Sequence, residues 1–196
     1  MQWKEGYPLD FKEVLKTPSE AHVARILSKS NQTPRFIYGA MMLPTVLKYF
    51  LSLPQHARID MVPATLKGFK LYKMAERGLP TIVRSKDETS EVEGMLIFGL
   101  DHEQRNITFE VEDIGGLTKF EHVQVQIYQK DDIGHYQVTD TRIVDAGTFI
   151  WDALSDTQTL TSVDAAFWDL EDFVAGQFYE HIVQNQNRSQ DLDELD

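Results

Sequence analysis

Between Thr65 and Trp151 the chain repeats one pattern, short β-rich runs closed by turns, and this excludes an all-helical fold. Thr65 to Lys73 alternates apolar and polar residues, anchored by Leu66, Phe69, Leu71 and Tyr72. Pro80 to Val83 is a short apolar run. Val92 to Leu100 is apolar on both faces, as a central strand is. Val123, Val125 and Ile127 alternate with Gln124 and Gln126, Asp131 to Gly134 reads as a hairpin turn, and Gln137 to Trp151 returns. Helical signals flank this core. Asp10 with Glu13 and Thr17 with Glu20 have capping-box spacing, Pro18 suits a first helical position, and Val23, Ile26 and Leu27 form a stripe. Asp101 caps a short helix expected to end near Phe109. Val163, Ala166, Phe167, Leu170, Phe173, Val174, Phe178 and Ile182 predict one long closing helix. The expected class is α+β: a curled, mixed but mostly antiparallel sheet with helices around it.

The 196 residues suit one core with short appendages. Residues 1–30 read as an N-terminal helical extension, 31–183 as the domain, and 184–196 as a disordered tail, Gln/Asn-rich and then acidic. The net charge of −12 is concentrated late, since residues 164–196 hold nine acids and one base, Arg188. Such a charge argues against nucleic acid as a partner. No apolar run approaches the roughly 20 residues that span a bilayer. With no cysteine and no basic, apolar leader, the chain reads as cytoplasmic.

Phe36 to Leu47 carries the strongest local signal. A short β run, Phe36-Ile37-Tyr38, meets Gly39 and turns into a helix opened by Pro44. Corners of this kind present free N–H groups suited to a carboxylate or an oxyanion. Other chemistry is hard to find. His22, His56, His102, His122, His135 and His181 are scattered, with no pair at helical ligand spacing, so no metal is expected. No nucleophile elbow, phosphate-binding glycine loop or dinucleotide fingerprint occurs, and no cofactor is expected. Gly115-Gly116 reads as a turn in an acidic loop. Glu110 and Glu112 remain, in Phe-Glu-Val-Glu-Asp after the short helix. A Glu beside Phe109 and Val111 can acquire a raised pKa and shuttle protons. From the residues alone both also read as solvated loop acids.

Several segments, in order, resemble the gamma-glutamylcyclotransferase-like family, including its plant and fungal avirulence-induced branch. The Tyr-Gly signature appears as Tyr38-Gly39-Ala40-Met41-Met42-Leu43-Pro44-Thr45-Val46-Leu47. Leu66-Lys67-Gly68-Phe69, Leu79-Pro80-Thr81-Ile82, the Val92 to Leu100 strand and Phe109-Glu110 follow. Val123 to Val125, Phe149-Ile150-Trp151 and Trp168-Asp169-Leu170-Glu171-Asp172-Phe173 complete a likeness over about residues 35–180. The resemblance implies a barrel-like sheet, a cavity lined by Tyr38, Gly39, Ala40 and Met41 that holds a γ-glutamyl group, and Glu110 as general acid/base, with Glu112 as the alternative. The implied reaction is intramolecular aminolysis, releasing 5-oxoproline from a γ-glutamyl amine or peptide without metal or cofactor. A non-catalytic small-molecule binding or regulatory module with the same fold is the alternative function. Ala40 replaces a hydroxyl residue, Leu79 a Tyr, and Phe120-Glu121-His122 lacks the family's Arg.

Overall fold

The computed structural model describes residues 1–29, 32–75, 78–113, 115–133, 136–152 and 157–193. Its elements are α1 (Leu9–Val14), α2 (Glu20–Lys29), β1 (Arg35–Ile37), α3 (Pro44–Phe50), β2 (Met61–Lys67), β3 (Phe69–Met74), β4 (Pro80–Arg84) and β5 (Glu91–Ile97). There follow α4 (His102–Glu112), β6 (Thr118–Ile133), β7 (Tyr136–Trp151), β8 (Leu160–Ser162), α5 (Glu171–Val174) and α6 (Gln177–Asp193), while a 3-10 turn (Ala40–Met42) separates β1 from α3.

Five strands close a barrel in the order β1-β5-β2-β6-β7. The neighbours are antiparallel except where β1 meets β7 in parallel, Arg35 opposite Gly147. A second sheet of three strands, β4-β3-β8, stands beside it. The expected α+β class holds, with its sheet curled to full closure. Val62, Ala64, Leu66, Leu96, Val125, Ile127 and Ala146 are buried in one core cluster, the barrel strands' inward alternation supplying them. A second cluster, around Met42, Leu43, Val46 and Leu47, lies under the helices.

Local details differ from the sequence reading. Thr65 to Lys73 is not one strand: Gly68, at φ +77°, divides it, and the halves enter different sheets. The left-handed backbone explains why a glycine stands there. The opening capping boxes do not form. α1 begins at Leu9, where Asp10 accepts a hydrogen bond from the Thr45 hydroxyl (2.6 Å), and Ser19 rather than Thr17 accepts from the His22 N–H (3.2 Å). Residues 1–29 contribute to the core, since Tyr7, Phe11, Val23 and Ile26 are buried. β6 continues through Ile133, so Asp131 to Ile133 are strand, and the connection containing Gly134 lies outside the described residues. The long closing helix is instead two helices. Residues 163–170 run irregularly, held where the Val163 N–H donates to Leu71 O (3.0 Å) and the Glu93 N–H to Ala166 O (2.7 Å). Tertiary pairing overrides the helical periodicity there. α6 continues to Asp193, so the expected disordered tail is helical as far as that residue. No described helix is long and apolar enough to cross a membrane.

Candidate active site at the end of helix α4

Asp101 caps α4: its carboxylate accepts from the Gln104 N–H (2.9 Å), while the Gln104 side chain accepts from the Asp101 N–H (3.1 Å). The helix passes the expected end at Phe109 and closes with Asp113 N–H donating to Phe109 O (2.8 Å). Glu110 and Glu112 therefore both sit on its last turn, about 200° apart around an axis of 3.6 residues per turn. That phase separates their fates. Glu110 is exposed and does not line the cavity described below. Glu112 shares a face with the fully buried Thr108 and projects inward.

Two contacts fix the helix end. Phe109 packs edge-on against Phe149 of β7, ring centres 4.9 Å apart, and the Thr118 hydroxyl donates to Glu112 O (3.0 Å). The Glu112 Oε2 is sealed from solvent and has no hydrogen-bond partner among the described residues. Burial pushes its carboxyl up to about 8, opposed by the charge of Arg35. A carboxylate at a helix C-terminus faces the negative end of the dipole, which favours protonation further.

Arg35, at the start of β1, is a buried neighbour of Glu112 that the sequence reading missed. It is buried, with its guanidinium 4.4 Å from the Phe120 ring centre and 5.6 Å from that of Phe149. Its Nε and Nη1 have no hydrogen-bond partner among the described residues. Burial lowers its pKa while Glu112 raises it. The available signal was an arginine opening a strand whose next residues are all apolar. On β1's far side the buried Tyr38 hydroxyl donates to Phe149 O (2.7 Å). Burial, reinforced by the nearby Glu112 charge, raises the Tyr38 pKa strongly.

Glu112 and Tyr38, but not Arg35, border a cavity of 270 Å³, smaller than the roughly 300–1,000 Å³ of drug-sized sites. Tyr38, Gly39, Ala40 and Met41 all line it, with Ile37, Phe50, Leu79, Pro80, Val111, Glu112, Phe173 and Phe178. Gly39 has an extended backbone rather than a left-handed one (φ −122°, ψ −154°). Its glycine is instead explained by close approach: a Cβ would lie 3.1 Å from Pro80 Cγ. The 3-10 turn then starts, Met42 N–H donating to Gly39 O (2.9 Å) and Leu43 N–H to Ala40 O (3.0 Å). The N–H groups of Ala40 and Met41 precede the first such bond and find no acceptor within the turn. The cavity thus brings a carboxyl whose pKa is raised by burial beside the backbone of the 3-10 turn, in a mostly apolar lining. A wider groove of 560 Å³ elsewhere is lined mainly by exposed side chains, among them Lys67, Arg84, His122 and Asp145. Among the described residues no three His, Cys, Asp or Glu gather as metal ligands.

Residues 35–170 match the family model described as gamma-glutamyl cyclotransferase, AIG2-like. The chain is 27% identical over 139 residues to AIG2-like protein D of Arabidopsis thaliana, covering 70% of this chain and 76% of that protein. It is 31% identical over 97 residues to AIG2-like protein B of the same plant, covering 49% and 50%. Among solved structures it is similar to the solution structure of an Arabidopsis thaliana protein, 23% identical, with 85% and 87% of the chains covered and a TM-score of 0.48. With the family model spanning most of its length, the chain belongs to the AIG2-like gamma-glutamyl cyclotransferase family.

Proposed function

We propose that the protein releases 5-oxoproline from a γ-glutamyl amine or peptide, with Glu112 rather than Glu110 as the general acid/base. One observation carries this reading: Glu112 lines the cavity made by Tyr38, Gly39, Ala40 and Met41, and its sealed Oε2 has no hydrogen-bond partner among the described residues. The substrate's α-ammonium supplies the missing partner and transfers one proton to the carboxylate. The freed amine attacks the γ-carbonyl carbon of the same molecule, and the oxyanion forms against the N–H groups of Ala40 and Met41. Glu112 then hands its proton to the departing nitrogen as the C–N bond breaks. The ring nitrogen loses its extra proton to the released amine, leaving 5-oxoproline. Because nucleophile and electrophile belong to one molecule, the protein's tasks are folding the substrate, moving a proton and holding charge.

The test is incubation with a panel of γ-glutamyl compounds, reading 5-oxoproline by mass spectrometry. The wild type and Glu110→Gln release it and Glu112→Gln does not. Equal turnover by Glu112→Gln overturns the assignment. If no compound is turned over yet 5-oxoproline binds, the pocket is a binding module.

A further inference from the structure

The family match ends at residue 170, and the cavity does not. Phe173 on α5 and Phe178 on α6 form its outer rim together with Phe50, and Leu79 completes it. Phe178 lies 6.5 Å from Phe50 and 6.3 Å from Phe173 between ring centres, yet is 51% exposed; Leu79 is 43% exposed. These side chains form an apolar rim left open to water at the mouth of a site.

The electrostatics of the rim are one-sided. Among the described lining residues none carries a positive charge, and Glu112 is the carboxylate. No Lys or Arg occurs anywhere between Arg142 and Arg188, while Glu171, Asp172 and Glu180 crowd the α5–α6 segment. A leaving group ending in a carboxylate would meet the charge of Glu112 here and find no cation among the described lining residues. An aromatic or aliphatic amine would cover Phe178 and Leu79 and gain the transfer free energy of that apolar surface.

We propose, resting on the cyclisation reading above, that α5 and α6 supply a leaving-group subsite selecting γ-glutamyl conjugates of apolar, chiefly aromatic, amines over those of amino acids. Phe173 and Phe178 lie beyond residue 170, where the family model's match ends, while Phe50 and Leu79 lie within it, so part of the selectivity is carried by a segment outside that match.

The experiment compares γ-glutamyl-benzylamide with γ-glutamyl-alanine on the full chain. The expected kcat/KM ratio favours the benzylamide by about tenfold or more, the scale of one or two methylene-sized contacts. Phe178→Ala shrinks that ratio at least about fivefold, chiefly through KM for the benzylamide. A ratio at or below one, or a Phe178→Ala ratio equal to the wild type's, overturns the subsite. Calorimetry of both compounds on Glu112→Gln separates this from the fate of the chemistry. A preference for benzylamide in binding with no wild-type turnover keeps the subsite and removes the cyclisation. Equal or reversed binding removes the subsite whatever the turnover.

Discussion

The inner and outer walls of the cavity are built on opposite plans. The inner wall, from β1, the 3-10 turn and the end of α4, buries Tyr38 and Met41 and seals a carboxyl oxygen without a partner. The outer wall, from α5 and α6, leaves Phe178 half in water and offers little besides apolar surface. The proposed chemistry requires groups held in place by packing and shielded from water, which the inner wall supplies. Discrimination between leaving groups requires only shape and polarity, and a helix resting on the surface can vary both without disturbing the core.

Changing Glu112 to Gln tests the contrast most severely. Turnover falls by about 10²–10⁴-fold, the usual contribution of a positioned proton donor and acceptor. Product release measured over time gives the number, and a loss below tenfold would move the chemistry away from the inner wall.

A slope in stability against pH comes next. Glu112 binds its proton in the folded state up to about pH 8, whereas an unfolded Glu releases it near its ordinary value of 4.5. Between these values the folded chain holds a proton that the unfolded chain lacks. This contribution is therefore most favourable below the lower value, declines as pH rises toward about 8, and then levels. Glu112→Gln removes it, so the variant's Tm advantage over the wild type grows from pH 5 to pH 9. A constant difference across that range would place the carboxyl in water. Activity should climb on the acid side through the same region, because the base must be ionised to accept the substrate's proton.

Tyr38→Phe has a smaller effect, about 1–3 kcal/mol in denaturant unfolding, because it strands the buried Phe149 carbonyl. The solvent-facing side of α4 is the quiet side. Glu110→Gln changes stability by less than about 0.5 kcal/mol, as exposed positions do, and keeps turnover within about twofold. A large effect there would erase the distinction between the two glutamates.

Much of the architecture was legible in the sequence because each strand carried its own alternation and each turn its own glycine or proline. The Tyr38-Gly39 corner was legible for the same reason. The choice between Glu110 and Glu112 depended on helix phase, and phase depended on where α4 stops. Stopping it at Phe109 put both acids in a loop and made them equivalent. Three more residues of helix turn one inward and the other outward. Thr108 and Glu112, four apart, were the readable clue, since a small residue sits where the helix meets the barrel. The final segment misled for the opposite reason. Val163, Ala166 and Phe167 have helical spacing, but main-chain bonds to Leu71 and Glu93 hold that stretch irregular, and such distant partners leave no mark on local periodicity.

Gly68 joins the barrel to the smaller sheet through one residue. The space around it is open, with nothing within 4 Å of where a Cβ would stand, so a larger residue there would strain only its own torsions. Those torsions nonetheless aim the β3–β4 ribbon that carries Leu79 and Pro80 to the cavity. The ribbon acts as a lever with its fulcrum at Gly68, turning a few degrees of misdirection there into a misplaced ceiling over the bound molecule. A lesion at this roomy pivot would thus register as poorer fit for substrate before it registered as a collision.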